Sequence, residues 1–233
     1  MGRIIVVDGT SNAGKTTLCN NLYKNMQKIK IIQGASAFAR QYREKYPSIP
    51  PIPKNIDEEK ENQKFFFKLE LDRLIEATEF AKNDVDVFMD RSVLEIISVA
   101  YSFESINQWK GIYKNAQTLY EKFISIMNES GLKNPDTYLW LKASPEEVIR
   151  RNLIRQQNRG QRLSDDEWVN SSLIKKQIEF FEKLCLGSNK DKFKLIDTNG
   201  KTEKEVLEKV GELLNLKRKE IERLDDWFTY TYN

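Results

Sequence analysis

Five short apolar runs recur along the chain, at residues 3–8, 29–33, 84–90, 136–142 and 193–197, separated by longer stretches of different periodicity. The first, Ile4-Ile5-Val6-Val7, is continuous rather than alternating, as in a strand covered on both faces of a parallel sheet. Apolar positions three and four apart mark helices over residues 15–28, 57–82, 92–103, 107–128 and 165–184. Ser144-Pro145-Glu146-Glu147 opens another, with a capping hydroxyl, proline in the first position and acids in the first turn. Thr202-Glu203-Lys204-Glu205 has the form of a capping box and opens a last helix to about residue 216. Residues 34–46 carry Arg40 and Arg43, and the proline-rich stretch from Tyr46 to Pro53 reads as an extended connection, too short for a domain linker.

Apolar runs alternating with helices predict an α/β fold of the P-loop type: a five-stranded, mostly parallel sheet with helices on both faces. Residues 1–216 are expected to form one domain, followed by a charged tail, residues 217–233, that carries Trp227, Phe228, Tyr230 and Tyr232. The bland reading of that tail is packing across the domain or fraying.

Composition narrows the chemistry. The 233 residues contain no histidine, which excludes Ser–His–Asp and Cys–His catalysis and HExxH metal sites. Acid–base work falls to carboxylates, Lys or Tyr. A net charge of +3 with signs interspersed gives no strong nucleic-acid signal. Cys19 and Cys185 have no metal or CxxC spacing and read as reduced thiols. No run reaches the length of a membrane span, so a cytoplasmic protein with no membrane contact is expected.

The strongest motif is Gly9-Thr10-Ser11-Asn12-Ala13-Gly14-Lys15-Thr16-Thr17, which satisfies G-x-x-x-x-G-K-[ST] and lies between an apolar run and a helix. Backbone N–H groups of such a loop cradle phosphates, Lys15 reaches the outer ones, and the Thr16 hydroxyl can ligate Mg²⁺. Ser188-Asn189-Lys190-Asp191 only looks like the base-reading NKxD of GTPases, since the acid comes one residue early; it reads as a turn.

Asp90-Arg91-Ser92 closes the third apolar run, where parallel-sheet enzymes place their ligand crevice. Asp90 can hold metal-bound water or orient an acceptor, and Arg91 can clamp a phosphate. Phe66, Glu70 and Arg73 share one helix face, able to stack on and hydrogen-bond a polar ring; the competing reading makes the phenylalanines core. Arg151, Arg155, Arg159 and Arg162 are four, four and three residues apart, aligned to close as a lid over residues 150–164; the dull alternative is a surface paired with Glu146 and Glu147.

These motifs together resemble the thymidylate kinases and the related deoxynucleoside kinases. Asp8 before the loop glycine, the ending Gly-Lys-Thr-Thr, Leu71-Asp72-Arg73, Asp90-Arg91-Ser92, Ala100-Tyr101, and Pro135-Asp136 before Ser144-Pro145-Glu146-Glu147 match that family in order and rough spacing, from residue 4 to about residue 185. The resemblance implies an acceptor site that includes Asp8, Arg40, Arg73 and Tyr101, and a homodimer; Phe66 and Glu70, on the helix face of Arg73, are expected to join that site. There are departures. Gln33-Gly34-Ala35-Ser36 stands where thymidylate kinases carry Arg-Glu-Pro-Gly and where deoxynucleoside kinases place a catalytic Glu. Leu69 replaces a base-stacking Phe, and Ser102 a Gln.

The expected activity is Mg²⁺-dependent transfer of the ATP γ-phosphoryl group to a nucleotide or nucleoside. Lys15, Asp90, Arg91, Arg155 and Arg159 would act on the transferred group, and Gly9 and Asn12 to Thr17 would bind ATP. Two alternatives stand beside it: a kinase for a non-nucleotide hydroxyl, and a nucleotide-binding switch or scaffold with incidental hydrolysis.

Overall fold

The computed structural model describes residues 1–158, 170–187 and 190–219. Five strands, β1 (Ile4–Gly9), β2 (Ile29–Ile32), β3 (Asp86–Asp90), β4 (Thr137–Lys142) and β5 (Phe193–Asp197), form one sheet in the order β2-β3-β1-β4-β5. All pairings are parallel. Eight helices are described: α1 (Lys15–Asn25), α2 (Ala35–Gln41), α3 (Ile56–Lys82), α4 (Val93–Ser105), α5 (Ile112–Glu129), α6 (Pro145–Asn158), α7 (Ser171–Leu186) and α8 (Glu203–Leu213).

Alternation along β1 splits the core into two layers. Ile4 and Val6 join the cluster under α3, α5 and α7, while Ile5 and Val7 join Leu18, Leu22 and Val210 under α1 and α8. The register carries this split to the strand ends. Asp8 is level with Trp140, on the α3 side, whereas Asp90 is level with Val7, on the α1 side.

Caps fix the helix starts. The Asn55 side chain accepts from the Asp57 and Glu58 amides, the Ser92 hydroxyl accepts from the Leu94 amide, and Thr202 and Glu205 complete the capping box. One expected boundary moves by several residues, and one stretch given no expected element is helical. The fifth helix begins at Ile112 rather than residue 107, because Asn107, Trp109 and Gly111 all have positive φ and form a turn whose Gly111 and Tyr113 amides donate to Glu104. Residues 35–41 form α2, which at seven residues is too short for its periodicity to stand out. The helix of residues 165–184 is described only from Ser171, and of the NKxD look-alike only Lys190 and Asp191, which begin a short 3₁₀ turn before β5. Cys19 is buried as expected, whereas Cys185 is half-buried. No described helix is long and apolar enough to cross a membrane.

One buried acid lies away from the strand ends. Glu59 on α3 is 7% exposed, and its carboxylate accepts from Gln63 Nε2 at 3.3 Å. Burial pushes its carboxyl up to about 7, which the Gln63 bond only partly offsets. A carboxyl raised on folding keeps its proton in the native state while the unfolded chain loses it near pH ~4.3. Stability therefore falls as pH rises from about 4.5 to 7. Glu59→Gln should flatten that fall, with a higher urea midpoint than the parent at pH 7.5 and an equal one at pH 4. Equal midpoints at both pH values would contradict it.

Candidate active site

β1 ends at Gly9, and a Cβ there would lie 2.7 Å from the Leu141 carbonyl oxygen of β4, so only glycine lets the chain turn so close to its neighbour. The loop then passes through Asn12 (φ 55°) and Gly14 (φ 100°) in left-handed conformations before α1 begins at Lys15. Left-handed residues turn successive amides toward one side, which makes a cradle for anions at the N-terminus of α1. Lys15 is folded into that cradle: its Nζ donates to the carbonyls of Gly9 and Thr10, each at 2.6 Å. Burial, with Arg91 nearby, holds its ammonium well below the usual lysine range, while Asp90 and Asp8 pull the other way. Outside the loop opens a cavity of about 720 Å³ lined by Ser11 to Thr17, Arg91, Arg151, Arg155 and Thr198.

Asp90, at the end of β3, faces the loop. Thr16 Oγ1 donates to its Oδ2 at 2.7 Å, while its Oδ1 is buried with no hydrogen-bond partner among the described residues. On the other face of the sheet Asp8 accepts from the Ser92 amide at 3.0 Å and from Ser92 Oγ at 2.6 Å. Burial raises the Asp8 carboxyl and these two bonds oppose the rise. Between them the backbone bends through Arg91 at φ 77°, a conformation that costs free energy in a side-chain-bearing residue and is held by the surrounding bonds. Arg73 supplies two of these, donating from Nη2 to the carbonyls of Asp90 at 2.7 Å and Arg91 at 3.3 Å. Its Nη1 pairs with Glu70, and the Arg91 guanidinium with Glu95. Gly34, beyond β2, sits against the same carboxylate: a Cβ there would be 3.5 Å from Asp90 Oδ2.

α6 closes the third side. Glu147 binds Arg150 and Arg151, and these partners, Arg150 foremost, bring its carboxyl down to about 2. Arg151 also donates to the Asn12 and Ala13 carbonyls at 3.4 and 3.2 Å, and to Thr198 Oγ1 and O at 3.2 and 2.5 Å. It ties the phosphate loop to the end of β5. Arg155 Nη1 donates to Asn12 Oδ1 at 3.2 Å.

The structure thus brings Asn12, Lys15, Thr16, Arg91 and Arg155 around one cavity, with Asp90 buried behind Thr16. It places others elsewhere. Glu70 and Arg73, expected against the acceptor, are interior: Arg73 is wholly buried, its Nη1 and Nη2 bonded to Glu70 and to the strand-end carbonyls, while its Nε has no partner among the described residues. Asp8 is also buried, bonded to Ser92. Phe66 is half-buried and packs edge-on to Phe65, as the core reading had it. The Tyr101 hydroxyl donates to Glu179 and accepts from Lys183. Arg40 is exposed. Glu147 takes both Arg150 and Arg151, so the pairing of this helix surface falls on Glu147. Arg159 and Arg162 lie outside the described residues, as do residues 159–164 of the expected lid. Sequence reading missed Asn152 and Thr198. Thr198 follows the C-terminal end of β5, where the crevice rule for parallel sheets points, whereas nothing local marks Asn152.

A phosphate loop and an acid-Arg pair at the C-terminal ends of adjacent parallel strands, β1 and β3, define a P-loop phosphotransferase fold. The chain belongs to the deoxynucleoside kinase family, whose sequence model matches residues 5–215, and is a nucleoside or nucleotide kinase. Its fold is similar to that of thymidylate kinase from Candida albicans, at 19% identity and TM-score 0.60, covering 92% of this chain and 91% of that one. It is also similar to deoxyadenosine kinase from M. mycoides with bound dCTP, at 22% identity and TM-score 0.50, covering 91% and 98%. No curated protein sequence matches the chain.

Proposed function

We propose that the protein transfers the γ-phosphoryl group of ATP, with Mg²⁺, to a nucleoside or nucleoside monophosphate. The observation that carries this reading is the Thr16–Asp90 pair at the loop: Thr16 lines the phosphate cavity and its hydroxyl holds Asp90, whose other carboxylate oxygen is buried with no partner among the described residues. A hard cation that keeps most of its waters and binds through one or two protein oxygens plus phosphate suits that donor set. Thr16 would ligate Mg²⁺ and Asp90 Oδ1 would hold one of its waters; when bound, the ion neutralises charge on the β- and γ-phosphates.

The loop amides from Asn12 to Thr17 and Lys15 hold the triphosphate. Arg91 and Arg155, which both line the cavity, would reach the transferred group, and the arginine spacing of the sequence assigns Arg159 the same role. The new P–O bond to the acceptor oxygen forms as the bridging P–O bond to ADP breaks, with the electron pair left on ADP and the proton of an acceptor hydroxyl released to water. Asp8, through Ser92, and Glu70, through Arg73, would position the strand end that carries Asp90 and Arg91. Arg40 would meet the acceptor's own phosphate.

A kinase for another small-molecule hydroxyl is the second reading. It is favoured by Leu69 and Ser102, which are buried in the positions where the resembling family reads its base. ADP release with Mg-ATP across deoxynucleosides, their monophosphates and simple hydroxyl metabolites tests both. Release that depends on one nucleoside or monophosphate, and that stops in EDTA, is expected. Release only with a non-nucleotide hydroxyl would replace the first reading with the second, and acceptor-independent release would remove both.

A further inference from the structure

Asn12 does more than line the loop. Its backbone is left-handed, at φ 55°, which Gly, Asn and Asp tolerate and most residues do not. Glycine would meet the backbone requirement alone, but Asn12 adds a side-chain amide, and both ends of it are used. Oδ1 accepts from Arg155 Nη1 at 3.2 Å, and Nδ2 donates to Oδ1 of the buried Asn152 at 3.2 Å. Arg155 can only donate, so it fixes the amide with oxygen outward and nitrogen toward Asn152. Asn152 in turn lies one turn before Gln156 and within the same helix as Arg155, so both partners of Asn12 move with α6.

We propose that Asn12 is a positioning residue that holds Arg155 over the phosphate loop before the triphosphate arrives. A guanidinium has five N–H donors, and among the described residues only one nitrogen of Arg155 is engaged. Binding of a phosphate oxygen therefore need not break the Asn12 bond. A long, exposed side chain is ordered in advance, and the ordering cost is removed from the binding step. The inference rests on the assignment of Arg155 to the terminal phosphate, and it adds that Asn12 acts through that arginine.

Calorimetric titration with Mg-AMPPNP and with Mg-ADP tests it without knowledge of the acceptor. Arg155→Gln should weaken Mg-AMPPNP and leave Mg-ADP nearly unchanged. Asn12→Gly keeps the left-handed backbone, and a thermal melt checks that it folds as the parent does. It should weaken Mg-AMPPNP by about three- to tenfold, again sparing Mg-ADP. The double variant should bind Mg-AMPPNP no more weakly than Arg155→Gln alone, since the latch has nothing left to hold. Multiplying losses in the double variant, or equal weakening of Mg-ADP by Asn12→Gly, would make Asn12 a part of the loop's own structure and overturn the proposal. Arg155→Gln without effect on Mg-AMPPNP would overturn it too, together with the role of Arg155. Absence of any nucleotide binding by the parent would instead remove the kinase reading on which it stands.

Discussion

Lys15→Ala should lower phosphoryl transfer by at least about 10²- to 10³-fold while the protein stays folded. The activity loss follows from charge. Transfer spreads negative charge over the γ-phosphoryl oxygens, and Lys15 is the cation that rises from the loop into the cradle. Stability follows a different arithmetic. The Lys15 ammonium is 4% exposed, and burial holds its proton affinity well below normal, so keeping it charged costs the native state. Alanine removes that cost but strips the Gly9 and Thr10 carbonyls of their donor. The two nearly offset, and unfolding should shift by no more than about 1 kcal/mol in either direction. Steady-state kinetics beside a urea melt measures both. A variant that unfolds, or that keeps a tenth or more of the parent's rate, would contradict the assignment.

Arg73→Met carries the largest expected effect on stability. The guanidinium is wholly buried against a Glu70 that is 4% exposed, and removing one partner of a buried pair strands the other. Such breaks cost about 3–5 kcal/mol. For a domain of this size that is a fall of roughly 10 °C in Tm. Burial already raises the Glu70 carboxyl against the pull of Arg73, so without Arg73 it should take up a proton rather than remain a bare charge, and the loss should be smaller at low pH. Adding Glu70→Leu removes the stranded acid and should recover much of the stability. It should not recover activity, because the Asp90 and Arg91 carbonyls still lack the donor that holds the strand end. Recovery of both would place Arg73 in packing alone. Recovery of neither would mean that the pair is not the source of the loss.

The parts of the fold that sequence reveals are those written in local pattern. The inner strands β1, β3 and β4 are largely buried apolar runs, the edge strands β2 and β5 are lysine-containing and partly exposed, and all five were legible within a few residues. The phosphate loop was legible because its glycines and its Lys-Thr answer to backbone geometry within nine residues of chain. Asp90 and Arg91 could be placed because a strand end in a parallel sheet is a position of known use. What stayed hidden depends on register and on contacts between distant segments. Asp8 and Asp90 look like equivalent strand-end acids, yet the one-residue offset in pairing sends them to opposite faces of the sheet, one to Ser92 and the other to Thr16. Glu70 and Arg73 read as a polar helix face, and no spacing rule says that such a face turns inward. The links from Asn12 to Asn152 and from Arg151 to Thr198 join segments 140 and 47 residues apart, beyond any local signal. The turn at residues 107–111 was missed because Asn107 and Trp109, unlike glycine, do not announce a positive φ.

The central claim is transfer to an acceptor, and the fate of the label in γ-³²P-ATP tests it most directly. Incubated with Mg²⁺ and a panel of deoxynucleosides and their monophosphates, the protein should move label into one or a few of them, and Lys15→Ala should not. Label found only as inorganic phosphate, at a rate that no acceptor changes, would contradict the account.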